Sequence, residues 1–214
     1  MNQSEDAPSP VIEPSANGPY VVKNLRVLKN SKGEHLPTKD VVALCRCGGS
    51  QNKPFCDGTH ARNKFSSQNR SDPSQNKRTD YVGRQITIHD NRAICAHAGR
   101  CTDALPSVWR MGIEPWIDPD AAAVNAIIET IEQCPSGALG YSIAGVEHHQ
   151  NHEPTVTISP DGPYVVTGGI ELKDAAWGEG ASTEHYTLCR CGASNNKPFC
   201  DGAHWRIKFK DEKN

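Results

Sequence analysis

The sequence predicts an α+β protein built from three small units, and three observations support this. Residues 45–60 (CRCGGSQNKPFCDGTH) return at 189–204 (CRCGASNNKPFCDGAH), with thirteen of the sixteen positions identical. The nine cysteines fall into three groups of three, one in each copy and one between the copies. Only 36% of the residues are hydrophobic, whereas Gly and Pro number 18 and 15. Such a composition favours short elements joined by turns over one large core.

Composition and charge limit the partners and the cellular location that we expect for this protein. The formal net charge of −2 gives no reason to expect a nucleic acid or an acidic membrane surface as a partner. The opening residues are polar and acidic without an apolar signal core, and no run reaches the length that spans a bilayer. We therefore expect a cytoplasmic protein that does not enter the membrane. In that reducing compartment, nine cysteines are more typical of metal ligands than of disulfides.

The repeated unit is longer than its cysteine motif. Gly18–Val22 returns as Gly162–Val166 in the same register as the cysteines, which indicates duplication of a whole unit. Apolar stretches predict short strands at 20–28 and 41–44, and again at 164–172 and 186–188. The predicted divisions of the chain are a disordered tail (1–16), a first repeated unit (17–65), a linker (66–80), a middle unit (81–145), a linker (146–160) and a second repeated unit (161–210).

The middle unit combines strand and helix patterns. Alternating apolar residues predict strands over Arg84–His89 and Leu139–Ile143. Between them, Asp118 is a candidate N-cap with Pro119 at the first helical position, and Cys134-Pro135 stops the helix. The apolar positions with helical spacing are Val124, Ile127, Ile128 and Ile131.

The repeated cysteine motif has the composition of a metal site. Cys45 and Cys47 flank one residue, so both thiolates can reach one small metal centre, and Cys56 with His60 forms a second pair. Three thiolates and one imidazole suit a tetrahedral zinc ion or a [2Fe-2S] cluster. Structural zinc more often uses cysteines with two to four residues between them. The spacing favours iron–sulfur and leaves zinc open.

The full pattern C-x-C-x2-S-x3-P-x-C-D-G-x-H resembles the CDGSH iron–sulfur family, which includes mitoNEET-like proteins. Both copies satisfy it, although Thr59 and Ala203 stand where the family name has Ser. The resemblance implies two [2Fe-2S] clusters and an intrachain pseudo-dimer in which the two β-rich units complete a shared fold. It also implies a histidine ligand that protonates in moderate acid, so that reduction couples to protonation and both clusters are acid-labile. The implied ligands are Cys45, Cys47, Cys56 and His60, with Cys189, Cys191, Cys200 and His204 in the second copy.

The middle cysteines, Cys95, Cys101 and Cys134, resemble those of a one-cluster bacterial ferredoxin and of the divergent 4Fe-4S mono-cluster family. The resemblance implies a small ferredoxin-like α+β domain. Where the ferredoxin pattern has its second ligand, this sequence has Ala98. Three thiolates favour a [3Fe-4S] cluster. The alternative is a [4Fe-4S] cluster whose fourth iron takes His97 or solvent.

These features predict an electron-transfer or redox-sensing protein, with iron–sulfur cluster storage or transfer as the alternative. No nucleophile–base pair, phosphate loop or organic-cofactor fingerprint points to an enzyme. The expected partner is a redox protein or a cluster acceptor. The expected assembly is a monomer with an internal pseudo-dimer, or a homodimer.

Overall fold

The computed structural model describes residues 8–214, which form twelve short strands and four short helices. No helix in this part of the chain is long and apolar enough to cross a membrane. The strands are β1 (Val11–Pro14), β2 (Tyr20–Lys23), β3 (Leu28–Lys29), β4 (Val41–Leu44), β5 (Thr79–Val82), β6 (Thr87–Asp90), β7 (Leu139–Ile143), β8 (Val146–His148), β9 (Thr155–Ile158), β10 (Tyr164–Thr167), β11 (Glu171–Leu172) and β12 (Tyr186–Leu188). The helices are α1 (Thr59–Arg62), α2 (Arg100–Ala104), α3 (Val124–Ile131) and α4 (Ala203–Arg206).

The two repeated units exchange strands. The first sheet has the order β11-β1-β2-β4 and the second the order β12-β10-β9-β3. Strand β11 of the second unit lies parallel to β1, with Val11 opposite Glu171. Strand β3 of the first unit lies parallel to β9, with Leu28 opposite Val156. Each unit therefore completes the other's sheet, and the predicted α+β fold with an intrachain pseudo-dimer is confirmed.

One apolar core serves both repeated units. In β2, Tyr20 and Val22 are fully buried while their neighbours are half-buried, the alternation of a strand with one face inward. Tyr164 and Val166 repeat this pattern in β10. Since burying one such side chain contributes about 1.5–3 kcal/mol, the shared core makes each unit depend on the other.

The predicted tail and linkers need correction. Residues 1–7 of the tail lie outside the described residues, but Val11–Pro14 is a strand because Ile12 is fully buried and pairs with Val22. Strands β8 and β9 likewise lie within the linker predicted at 146–160. In the linker predicted at 66–80, the Arg70 backbone N–H donates to the Asn195 carbonyl at 2.6 Å. Pairing with neighbouring strands, and in the linker predicted at 66–80 with the second repeated unit, orders segments whose own composition is polar or Pro-rich.

The middle unit is a four-stranded antiparallel sheet, β5-β6-β7-β8, with α3 packed on it through Ile127 and Ile131. The predicted helix start at Asp118 is wrong, because α3 begins at Val124. The Asp118 carboxylate accepts the Asp120 backbone N–H at 3.1 Å and pairs with Arg110 at 3.2 Å. It therefore closes a local turn and does not cap the helix.

Candidate metal centres

Each repeated loop brings its four expected ligands together as two pairs. The Sγ atoms of Cys45 and Cys47 lie 3.9 Å apart, and Cys56 Sγ lies 3.3 Å from His60 Nδ1. Cys45 directly follows β4, and His60 lies in α1. The second copy repeats both distances, at 3.9 Å for Cys189–Cys191 and 3.4 Å for Cys200–His204. Within residues 8–214, no three His, Cys, Asp or Glu side chains converge on a position for a single metal ion.

The serine and the aspartate of each motif shape its loop. Ser50 Oγ donates to the Phe55 carbonyl at 2.7 Å and accepts the Asn52 backbone N–H at 3.0 Å. The Asp57 carboxylate accepts the backbone N–H groups of Gln51 at 2.8 Å and Thr59 at 3.0 Å. These bonds hold the pKa of Asp57 well below its usual range. The serine and aspartate of the motif therefore stabilise the loop and the start of the short helix that follows it. Their position between the ligands did not by itself predict this role.

Two tyrosines that the sequence placed only in strands also support the loops. Tyr20 Oη donates across the pseudo-dimer to the carbonyls of Cys189, at 3.0 Å, and Pro198, at 2.9 Å. Tyr164 Oη reaches the carbonyls of Cys45, at 2.9 Å, and Pro54, at 3.1 Å. Burial raises the pKa of both phenols well above 10, so both remain neutral donors.

The two repeated sites differ in exposure. In the first site Cys47, Cys56 and His60 are half-buried, whereas all four expected ligands of the second site are buried. Burial lowers the pKa of His204 and raises that of Cys200. The two nearly identical motifs therefore present a more accessible site and a more enclosed one.

The middle cysteines meet at one cavity of about 590 Å³. Cys95 follows a short 3₁₀ turn, Cys101 lies in α2, and Cys134 follows α3. Burial raises the pKa of Cys95 to about 11 and also raises that of Cys101. Such thiols stay protonated at neutral pH unless a cation replaces the proton. The donor set therefore fits iron, which binds thiolates.

His97, the possible extra ligand, lies beside the second repeated loop. A Cβ built on Gly202 would come within 2.8 Å of the His97 Cδ2 atom, so the imidazole packs against this glycine. The His97 carbonyl accepts the Trp205 Nε1–H at 3.1 Å. Although His97 is exposed, its partial desolvation lowers its pKa. Its coordination of a fourth iron stays a prediction.

Comparison with known proteins agrees with these sites. The family model described as "Iron-binding zinc finger CDGSH type" matches residues 17–61 and 161–205. The chain therefore contains two CDGSH-type iron-binding domains. A second model, "Divergent 4Fe-4S mono-cluster", matches residues 81–144, between the two CDGSH domains. The predicted family is thus confirmed, and the chain is an iron–sulfur protein.

Curated relatives match part of the chain. The proteins named "Uncharacterized protein YjdI" in Escherichia coli K12 and O157:H7 are each 39% identical over 61 residues. The match covers 28% of this chain and 80% of each relative. No solved structure matches the chain.

Proposed function

We propose that this CDGSH protein holds one [2Fe-2S] cluster at each CDGSH site and a third cluster in the middle domain, and that it transfers or senses single electrons. The observation that carries the proposal is the pairing of ligands. A tetrahedral zinc ion with bonds of about 2.3 Å needs its four ligands gathered around one point. Two separate pairs instead suit two irons, with one pair for each.

The chain's own residues set the properties of each site. Cys45 with Cys47 would hold one iron, and Cys56 with His60 the other. Because His60 presents Nδ1 to Cys56, its Nε2 remains the atom that can carry a proton. A bound iron–sulfur cluster supplies one-electron transfer, and a neutral imidazole in place of a thiolate raises its reduction potential.

In the middle domain, three thiolates satisfy a [3Fe-4S] cluster without any other protein ligand, and we propose this form. The description of the matching family favours [4Fe-4S], which here needs His97 or solvent as its fourth ligand. EPR of the anaerobically purified, oxidised protein separates the two, since only the three-iron form carries an unpaired spin. We expect about one spin per chain, with iron and sulfide measured on the same sample. A silent but iron-rich sample means four irons, and a colourless sample with zinc overturns the whole proposal.

Cluster storage or transfer is a second candidate, favoured by the half-buried ligands of the first site. An apo-ferredoxin incubated with the loaded protein distinguishes the two functions. Transfer predicts that iron and sulfide leave with the acceptor. Electron transfer predicts no loss of iron from the protein. It also predicts that holo-ferredoxin, used in a parallel incubation, becomes reduced.

A further inference from the structure

The middle domain packs against only one of the two CDGSH loops in the described chain. Its cysteine loop meets the second CDGSH loop through the Trp205–His97 hydrogen bond and the packing of His97 on Gly202. Asn196 Nδ2 adds a bond to the Ala93 carbonyl at 2.8 Å. In the first copy the position equivalent to Trp205 is Ala61, which has neither a ring nor an N–H donor.

The segment after the first CDGSH domain secures the same contact. Besides the bond from Arg70 to Asn195, the Asn69 amide and the Ser71 hydroxyl each donate to Asn196 Oδ1 at 3.1 Å. Asn196 is consequently 4% exposed, whereas its counterpart Asn52 is exposed. The asymmetry of two nearly identical loops is therefore built by these surrounding segments.

A short sequence of contacts joins a ligand of the middle site to a ligand of the second CDGSH site. The His97 backbone N–H donates to Cys95 Sγ at 3.4 Å, and the His97 carbonyl accepts from Trp205 Nε1 at 3.1 Å. The Trp205 ring lies next to the His204 imidazole, with 5.1 Å between centroids. On the other side of this contact, the Gly202 backbone N–H donates to Cys200 Sγ at 3.5 Å.

The two CDGSH sites are joined more directly. Cys47 and Cys191, one ligand from each site, face each other in an isolated antiparallel bridge between the two loops. A Cβ on Gly48 would come within 2.5 Å of the Cys191 carbonyl oxygen. A side chain at Gly48 would therefore clash with the Cys191 backbone, so the two loops approach each other closely here.

We propose that His97 and Trp205 form the electronic contact between the middle site and the second CDGSH site. The second CDGSH site is then an internal relay, and the more exposed first site exchanges electrons with an external one-electron carrier protein. This inference rests on the proposed electron-transfer function. In each step one site loses one electron and the next gains it, with no bond formed or broken. The first electron comes from a one-electron donor, for which dithionite stands in below.

The test compares the rates at which an added electron redistributes among the three sites. The fully loaded protein is mixed with less than one equivalent of dithionite, freeze-quenched at increasing times, and examined by EPR for the signal of each site. Trp205→Ala gives the second copy the residue of the first, and Trp205→Phe keeps a ring but removes the N–H donor. Ile207→Ala, at a half-exposed position two residues away, is the matched control.

We expect redistribution between the middle and second sites to slow several-fold in Trp205→Ala and less in Trp205→Phe, with iron content and midpoint potentials unchanged. Ile207→Ala should behave as the wild type. Equal rates in all four proteins overturn the relay while leaving electron transfer intact. A wild-type protein that loads no reducible cluster overturns the proposed function itself. If Trp205→Ala does not load fully, Trp205→Phe decides, and a wild-type rate in it overturns the relay.

Discussion

The side chains of Tyr20 and Tyr164 cross between the two CDGSH domains, and each hydroxyl donates to carbonyls of the opposite metal loop. Their rings meet edge to face at the centre of the shared core, with 6.1 Å between centroids. Because each loop takes a hydrogen bond from the other domain, the two metal sites are not independent modules. A substitution in one domain should therefore alter the stability of the other domain's metal site.

Tyr20→Phe should therefore weaken the second site, and Tyr164→Phe the first. Tyr20→Phe leaves the Cys189 carbonyl, and Tyr164→Phe the Cys45 carbonyl, without its tyrosine donor, at a cost of about 1–3 kcal/mol. The Pro198 and Pro54 carbonyls still accept the Cys189 and Cys45 backbone N–H groups. The measurement is the rate at which visible absorbance is lost in proteins that keep one CDGSH site, with Cys56→Ala or Cys200→Ala disabling the other. Faster loss at the mutated domain's own site, with the opposite site unchanged, would contradict the crossed arrangement.

The two CDGSH sites should differ in their response to acid. Burial lowers the pKa of His204, so a lower pH is needed to protonate it and to break its bond to iron. Because His204 is also buried whereas His60 is half-buried, the protein that keeps only the second site should hold its cluster to lower pH than the protein that keeps only the first. Absorbance followed over pH 5–8 measures this, and His204→Cys should remove the acid-dependent loss at the second site. If acid still removes the cluster to the same extent in His204→Cys, histidine protonation is not the cause of cluster loss.

Asp90 should make the protein less stable at neutral pH than in mild acid. The residue is 2% exposed, and burial raises its pKa to about 6. Because this value lies above the unfolded one of about 3.9, the folded state favours the protonated carboxyl. The free energy of unfolding falls as pH rises from about 4 to about 6, by roughly 3 kcal/mol at most.

Asp90→Asn should remove that dependence and raise the free energy of unfolding at pH 7, as measured by urea denaturation at several pH values. Asp80 offers a control of opposite sign, because hydrogen bonding to Arg78 lowers its pKa. Its contribution is present at neutral pH and is lost in acid, so Asp80→Asn should destabilise at pH 7. If Asp90→Asn leaves the pH profile unchanged, other interactions in the folded state must offset the cost of burying the Asp90 carboxylate.

The ion pair of Arg190 and Asp211 should be a large local contribution to stability. Both side chains are buried, and the guanidinium also donates to the carbonyls of Gly162 at 2.8 Å and Ser159 at 2.9 Å. Asp211→Ala leaves a buried unpaired cation, and we expect a loss of about 3–5 kcal/mol in urea denaturation. Lys210→Ala, at a side chain 72% exposed, should change stability by less than about 1 kcal/mol. Comparable losses in both variants would mean that breaking the buried pair costs no more stability than breaking an exposed one.

Local patterns predicted several strands with their exact bounds. The predicted strands at 41–44, 139–143 and 186–188 coincide with β4, β7 and β12, since alternation and bounding turns are read directly from neighbours. The helix start failed because Asp118 found partners in Asp120 and Arg110. A capping residue and a turn residue have the same signature until their neighbours in space are known.

The sequence by itself predicted the candidate ligands of the three sites and revealed the duplication and the two domain types, because the spacing of residues within a motif is a local property. Only the tertiary structure decided that β3 and β11 are exchanged, and that Tyr20 and Tyr164 support each other's loops. It also decided that the middle domain covers one CDGSH loop and not the other. These outcomes depend on packing between residues far apart in the chain, and two loops with nearly the same sequence acquire different surroundings from it.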